Sequence, residues 1–341
     1  MTASTPGRPG RRAVLMLGSA STLTSVLPIR PAYAAPDGAP PATAGSKSAN
    51  LTATGRPWIL GGRLHHTTVL QSFAFDERRG HIYALQVMQG GIRLAGEPRS
   101  YSHADRAARG DLCLNRLTMA GELTGHMYLK GFGHGGAIGV DDTTGGSAML
   151  WTEWDAGRSG LGRGICRFRF AERRVLDRGS RAVIPYQPVP GSTNNYAAVD
   201  PVRRRLLLRY RVAGVPRFAL HDLDRFAARD FRPLADFPQP GAHVSLPFQG
   251  MALYGDHAYQ LLGRGYGQGS PSARSSALLY RIDLATGQVA QRVREMTAPA
   301  LRPREPEGLA MLRRGGPWLC LGYTQGPPGR RAFSLYYKEI D

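Results

Sequence analysis

A short run of apolar residues around one small residue recurs five times along the chain. The small residues stand at positions 74, 139, 198, 252 and 310, so about 54 to 65 residues separate one run from the next. A regular period of this length indicates a repeated structural unit. The runs are Phe-Ala-Phe-Asp at 73–76, Ile-Gly-Val-Asp at 138–141, Ala-Ala-Val-Asp at 197–200, Met-Ala-Leu-Tyr at 251–254 and Leu-Ala-Met-Leu at 309–312.

Each run leads through a turn into a second strand, as at 76–80 before the strand that begins at His81. Later in each unit the apolar and polar residues alternate, which is typical of a half-buried strand. Five units of four strands without a convincing amphipathic helix predict an all-β fold, a five-bladed β-propeller with four antiparallel strands per blade. The last strand, 333–337, would close the ring with a strand that begins near Trp58. A two-sheet sandwich is the alternative, but it gives no reason for a fixed period.

The first residues have the three parts of an export leader. Arg11 and Arg12 end a basic segment, an uncharged run follows from Ala13 to Ile29, and a small-residue Ala-Tyr-Ala site ends at Ala34. Paired arginines before a weakly apolar run favour the twin-arginine route, which carries folded proteins. Threading export and a disordered basic tail are the alternatives. The sequence therefore predicts a cleaved signal peptide over 1–34 and a secreted protein.

Composition divides the remaining chain into two segments. Residues 35–56 are rich in Ala, Pro, Ser, Thr and Gly and predict a disordered spacer, and residues 57–341 have the composition of the propeller domain. No second hydrophobic stretch approaches membrane length, so we expect no permanent membrane anchor, and we expect a monomer.

Cys113 and Cys166 occupy matching positions of successive units, which would hold them apart. These two thiols and Cys320 are therefore predicted to be buried and free.

The formal net charge of +19 is carried almost wholly by arginine. A GC-rich coding sequence could explain this composition without any functional cause. Outside a cell, the available polyanions are uronic-acid glycans and wall phosphopolymers, whose oxyanions suit the arginine fork. We therefore expect an anionic polysaccharide or wall glycopolymer as partner, and no nucleic acid. No zinc-ligand spacing and no phosphate-binding glycine loop is present in the sequence, so we expect no metal and no cofactor.

Three motifs carry a resemblance to a known family. They are Gln-Ser-Phe-Ala-Phe-Asp at 71–76 leading into His-Ile-Tyr at 81–83, Gly-Phe-Gly-His-Gly-Gly at 131–136, and Glu-Pro-Glu-Gly-Leu at 305–309. Through them the chain resembles the propeller family of the teichoic acid biosynthesis protein C group and of phage receptor-binding proteins, over nearly all of 57–341. The resemblance implies a secreted or surface domain that contacts a cell-wall glycopolymer. The resemblance assigns no catalytic residue to this chain.

Polar side chains gather where the inner strands of a propeller would begin. These ends, together with the ends of the second strands, line one mouth of the central channel. Amides suit sugar hydroxyls, aromatic faces suit sugar rings, and arginines suit carboxylate or phosphate. The alternative is that Gln71, Asn195 and Gln249 only tie neighbouring strands together. The predicted substrate-binding residues are Gln71, Gln86, Trp151, Asn195, Gln249, Arg264 and Glu307.

His134 is the leading single candidate for a functional residue, because it stands among four glycines, where the backbone can approach a ligand closely. Those glycines could equally serve a tight crossing between blades. With Tyr196, Arg209 and Tyr266, His134 would supply a base and a neutralising cation for β-elimination of a uronate. The sequence thus predicts a secreted propeller that binds an anionic cell-wall or extracellular glycan, teichoic-acid-like or uronate-containing. A polysaccharide lyase is the alternative, favoured over a glycoside hydrolase, and a protein-interaction platform is a third hypothesis.

Overall fold

A computed structural model describes residues 51–267 and 277–340. The predicted signal peptide and the first part of the predicted spacer lie outside the described residues. The described residues form five antiparallel sheets arranged in a ring, which confirms the five-bladed β-propeller. Within this part of the chain, no helix is both long enough and apolar enough to span a bilayer.

Strands make up most of the described elements, with two short helices on the loops. The helices are α1 (His103–Arg109) and α2 (Leu223–Ala227). The strands are β1 (Arg56–Gly62), β2 (Leu70–Asp76), β3 (His81–Val87), β4 (Leu112–Thr118), β5 (Leu123–Lys130), β6 (Gly139–Asp141), β7 (Met149–Ala156), β8 (Gly162–Arg169), β9 (Val175–Asp177), β10 (Ile184–Tyr186), β11 (Thr193–Asp200), β12 (Arg205–Val212), β13 (Val215–Asp222), β14 (Ala235–Pro238), β15 (Phe248–Tyr254), β16 (His257–Leu262), β17 (Leu278–Asp283), β18 (Val289–Arg294), β19 (Pro303–Leu312), β20 (Trp318–Gln325) and β21 (Ala332–Glu339).

The blades follow one another along the chain, each from its inner strand outward. Blade 1 is β2-β3-β4-β5, blade 2 is β6-β7-β8-β10, blade 3 is β11 to β14, blade 4 is β15 to β18, and blade 5 is β19-β20-β21-β1. β1 pairs antiparallel with β21, so the first and last strands close the ring as predicted. The sequence did not predict β9, which leaves blade 2 and pairs in parallel with β5 as a fifth strand of blade 1. This pairing joins two blades by backbone hydrogen bonds.

The five recurring small residues lie on the inner strands and line the central channel. The channel holds a cavity of about 30 Å³, room for one or two water molecules, among its lining residues Ala74, Gly139, Ala198, Ala252 and Ala310. An ideal Cβ placed on Gly139 would lie 2.7 Å from Cγ2 of Val199. Small residues recur in the sequence because five inner strands converge here and leave no space for larger ones.

The packed domain begins earlier than the sequence suggested. Leu51 is fully buried, although it falls within the segment predicted as a spacer over 35–56. The Nζ atom of Lys338 in β21 donates to the carbonyl oxygens of Leu51 and Ala53, at 2.9 and 2.6 Å. A buried lysine on the last strand therefore fixes the chain ahead of β1, and residues 51–56 belong to the propeller.

The far mouth of the channel, where the inner strands end, is bridged by ion pairs between blades. Arg204 of blade 3 pairs with Asp141 of blade 2 at 2.9 Å. Arg313, after β19, pairs with Glu77 of blade 1 at 3.1 Å and reaches Asp200 of blade 3 at 3.6 Å. Arg313 also lines the channel cavity, so its side chain lies across this opening. Asp141 and Asp200, which end two of the recurring runs, therefore help to hold the blades together.

The three cysteines are buried and unpaired, as predicted. Cys113 lies in β4, Cys166 in β8 and Cys320 in β20. Burial raises the pKa of all three thiols, which keeps them protonated and unreactive.

Candidate functional site at the near mouth

The near mouth is the end of the channel where the inner strands begin, and four of the five strands enter it through a β-bulge. The register shifts fall at Gln71 in β2, Asn195 in β11, Gln249 in β15 and Glu307 in β19. A bulge leaves a residue out of the ladder and re-aims its side chain. In blade 2 the inner strand starts later, and the glycine loop, residues 131–136, occupies the corresponding place. The polar positions singled out from the sequence therefore coincide with irregular strand entries.

The glycine loop is folded around the buried carboxylate of Glu153 in β7. Its Oε2 accepts from the backbone N–H of Gly135 at 2.6 Å, and its Oε1 accepts from that of Gly162 at 3.0 Å. The backbone N–H groups of His134 and Gly136 also bond to this carboxylate. Desolvation raises the pKa of Glu153 to about 7, against the opposing effect of these N–H groups. Glu153 therefore positions the loop and does not face a ligand.

His134 projects from this loop with an exposed side chain. The carbonyl of the next residue, Gly135, accepts from Oγ of Ser72 in blade 1 at 2.6 Å, which fixes the loop on a second side. Solvent reaches the imidazole, but the protein around it still desolvates the ring in part, and this lowers the pKa of His134. The ring is therefore neutral at neutral pH and can both donate and accept hydrogen bonds.

Blades 3 and 4 bring an arginine against two aromatic rings. Tyr196 of β11 stacks on Phe248 of β15, with ring centroids 5.3 Å apart and planes inclined by 9°. The guanidinium carbon of Arg209 lies 4.3 Å from the centroid of Phe248 and 5.2 Å from that of Tyr196. Its Nε donates to Oε1 of Gln239 at 2.8 Å. Among the described residues, no carboxylate lies within 4.0 Å of this buried guanidinium.

The glycine loop packs directly on this group, because an ideal Cβ on Gly136 would lie 2.7 Å from Cζ of Tyr196. The structure thus brings His134, Tyr196 and Arg209 to one mouth. Burial, with the nearby charge of Glu153, raises the pKa of Tyr196 far above its ordinary value, so the phenolate that would act as the base does not form at neutral pH. This environment does not support the lyase hypothesis.

Tyr266 belongs to a different cluster. Its ring lies under Arg302 and Arg304, whose guanidinium carbons are 4.9 and 5.6 Å from its centroid. Its backbone N–H donates to the carbonyl of Pro303, at the entry to blade 5. Arg264, on the same loop, is half-buried and has interactions within the protein. The structure thus places Tyr266 against arginines at the entry to blade 5 and not in the Arg209 group.

Gln71 and Glu307 are buried at their bulges, 8% and 4% exposed. Neither side chain makes a hydrogen bond or an ion pair with another described residue. Burial and the nearby Glu305 raise the pKa of Glu307 well above its usual range, which favours the neutral acid. A protonated carboxyl can donate as well as accept, so both side chains are suited to bind hydroxyl groups.

The other predicted binding residues have structural roles. Asn195 donates to the carbonyl of Gly162 at 3.1 Å, and Gln249 donates to that of Gly263 at 2.9 Å, so these amides tie strands together. Gln86 is fully buried and bonds both the N–H and the carbonyl of His66, where the chain crosses from blade 5 to blade 1. Trp151 packs between Tyr186 and Phe226 in the core. Gln86 and Trp151 are thus engaged inside the protein, and their role in substrate binding stays a prediction.

Phe248 and Gln239 were missed by the sequence analysis. Phe248 directly precedes the bulge at Gln249, and an aromatic residue at that position was an available signal. Gln239 follows β14, the outermost strand of blade 3, and nothing in the sequence indicated that it would reach Arg209 in β12.

Comparisons with known proteins agree with this architecture. The model of the phage five-bladed β-propeller receptor-binding platform domain matches residues 69–337. The putative major teichoic acid biosynthesis protein C of Bacillus subtilis (strain 168) is 25% identical over 286 residues, which cover 80% of this chain and 60% of that protein. The tail fiber of Staphylococcus aureus phage P68 superimposes with a TM-score of 0.60 at 20% identity, over 82% of this chain and 51% of that one. The chain therefore spans little more than half the length of these two proteins. By its family match, the chain belongs to the phage five-bladed β-propeller receptor-binding platform family.

Proposed function

We propose that this propeller binds an anionic cell-surface glycan at its near mouth. The proposal rests on Arg209, a buried cation with no carboxylate at ion-pair distance among the described residues. A buried charge without an ion-pair partner is costly. Glu153 attracts Arg209 only from beyond ion-pair distance, so an anionic ligand would supply the direct partner. The free edge of a guanidinium matches the oxygens of a carboxylate or a phosphodiester.

Other groups at the near mouth suit the rest of a glycan repeat. Phe248 presents an apolar ring beside the cation, while His134, Gln71 and Glu307 offer hydrogen-bonding groups for hydroxyls. The family description names receptor binding by phages, and the Bacillus relative is named for teichoic acid biosynthesis. Both point to the cell surface, and they favour a teichoic-acid-like or uronate-containing polymer as the ligand class.

Replacing Arg209 with glutamine should weaken binding of acidic glycans about 10- to 150-fold, since a hydrogen bond to a charged group contributes about 1.5–3 kcal/mol. Isothermal titration calorimetry with glycerol phosphate and galacturonate oligomers would measure the change. Arg225→Gln is the matched control, because Arg225 lies on α2 at the far side and pairs with Asp230. Wild-type affinity in a folded Arg209→Gln protein would refute the assignment of the mouth.

We also propose that the protein is exported by the twin-arginine route. A ring closed by its first and last strands has very long-range contacts and folds slowly, which favours export after folding. Replacing Arg11 and Arg12 with lysine should leave folded precursor inside the cell, as measured by fractionation and immunoblotting. Undiminished export of the double variant would exclude this route. The monomeric state and the lack of a membrane anchor stay predictions.

A further inference from the structure

A second cavity opens beside the glycine loop, between blades 1 and 2. Its volume is about 310 Å³, in the range of small-ligand sites. β5 and β7 both run toward the near mouth, and the cavity lies just beyond their last residues, Lys130 and Ala156. We call it the lateral cavity. Its charged lining residues are Arg109, Lys130, Arg178, Asp111 and Asp177.

The lateral cavity and the glycine loop share the same backbone. Gly131, the first residue of the loop, lines the cavity, and its N–H donates to Oδ1 of Asp111 at 3.0 Å. The carbonyl of Gly110 accepts from the N–H groups of Phe132 and Gly133, at 2.8 and 3.1 Å. Only these two residues separate Gly131 from His134. A chain molecule at the near mouth therefore needs to cross only a short stretch of loop to reach the lateral cavity.

The charge of the lateral cavity suits a monoanion. Its lining carries three cations and two carboxylates, which leaves one positive charge. The balance is the same when the count includes every ion that is joined to the lining residues by ion pairs, either directly or through one other residue. Two of them, Glu97 with Lys130 and Asp155 with Arg178, are negative. The other two, Arg106 with Asp111 and Arg163 with Asp155, are positive. A phosphodiester or a carboxylate carries the single negative charge that would complete this site.

Residues outside the lateral cavity fix the positions of its charged side chains and so give it a rigid basic wall. Arg106 of α1 is fully buried and binds Asp111 at 2.9 Å and both carboxylate oxygens of Glu97. The guanidinium carbons of Arg106 and Arg109 lie 4.9 and 4.3 Å from the ring centroid of Tyr101. Stacking of this kind fixes the Arg109 side chain while its charge still faces the cavity.

We propose that the lateral cavity is a second subsite for the same glycan, one that binds another monoanionic repeat through Arg109 and Arg178. The inference rests on the proposed function of the near mouth. Two subsites on one face make the second contact intramolecular, with an effective concentration in the millimolar range. Affinity should therefore rise with chain length, and this rise should depend on the lateral cavity alone.

The test compares ligands of increasing length. The probes are synthetic glycerol phosphate oligomers with one, three and nine phosphodiester groups, and galacturonate oligomers of matched length. Wild-type protein should bind the nine-unit form of one series at least about tenfold more tightly per molecule than the one-unit form. The Arg109→Gln/Arg178→Gln double variant should lose this gain and keep the wild-type affinity for one unit. Arg173→Gln is the control, because Arg173 is highly exposed and does not line the cavity.

The possible outcomes separate the two proposals. A length-dependent gain that survives in the double variant overturns the second subsite, as does a wild-type protein without any gain. Loss of the gain with phosphate oligomers alone supports a phosphodiester ligand, and loss with galacturonates alone supports a carboxylate. If Arg209→Gln does not weaken binding of one unit but the double variant does, the mouth assignment fails instead, and the lateral cavity is then a site in its own right.

Discussion

Replacing Arg106 with methionine should lower the free energy of unfolding by about 3–5 kcal/mol, because it removes one partner of a buried ion cluster. Arg106 has no exposed side-chain surface, and its Nη1 lies 2.5 Å from Oε1 of Glu97 and 2.9 Å from Oδ2 of Asp111. Both acids are themselves buried. Methionine fills a similar volume but leaves two carboxylates in the interior without their shared cation. Urea denaturation at pH 7 would measure the loss.

Arg99→Ala is the control for this prediction. Arg99 stacks on the same Tyr101 ring but is two-thirds exposed, and its ion pair with Asp105 is 3.9 Å long. Exposed pairs of this kind contribute about 0–1 kcal/mol. If Arg106→Met cost no more than Arg99→Ala, the cluster would not stabilise the fold, and the rigid wall that we assign to the lateral cavity would lose its basis.

Glu153 should give the stability of this protein a distinctive dependence on pH. Its pKa is about 7 in the folded protein and 4.5 as the ordinary value, so the folded state binds this proton more tightly than the unfolded state does. The group therefore favours folding fully below pH 4.5, and its contribution of about 3 kcal/mol is lost as the pH rises through 7. The Glu153→Gln variant cannot titrate and should lack this loss.

Denaturation at several pH values between 4 and 8 would test the dependence, with Glu122→Gln as a control at an exposed position. A difference curve between wild type and Glu153→Gln that is flat over this range would contradict the prediction. Glu153→Ala should be more severe, because it leaves four backbone N–H groups of the loop region without an acceptor. At about 1–3 kcal/mol for each buried unsatisfied group, the cost should be at least about 4 kcal/mol.

The fold could be predicted because every repeat is subject to the same steric constraint, which leaves a visible pattern in the sequence. Crowding at the channel axis demands a small side chain once per blade, and that demand gave the sequence its period. The boundary at Leu51 and the strand β9 were not predictable in the same way. Both depend on a partner far along the chain, Lys338 for the first and β5 for the second, and local composition does not reveal such partners.

The sequence indicated at which end of the blades the polar positions lie, but not which of their side chains come into contact. Strand direction alone places Gln71 and Gln86 at the same end of blade 1. Which of them faces the channel depends on the bulge at Gln71 and on the crossing segment at His66, which occupies the amide of Gln86. Similarly, Arg209 and Tyr196 were recognised individually, but Phe248 belongs to the next blade. Its stacking on Tyr196 is a tertiary contact that periodicity does not encode.

The closure of the ring by β1 and β21 also fixes an order of events during synthesis. Arg56 of β1 pairs with Tyr337 of β21, so β1 leaves the ribosome about 280 residues before its partner exists. At about 5–20 residues per second, this strand waits for about 15–60 s with an unpaired edge. Such an edge can pair with a wrong strand or with another nascent chain. The nascent protein should therefore need protection of its first strand by a chaperone until the last one has been translated.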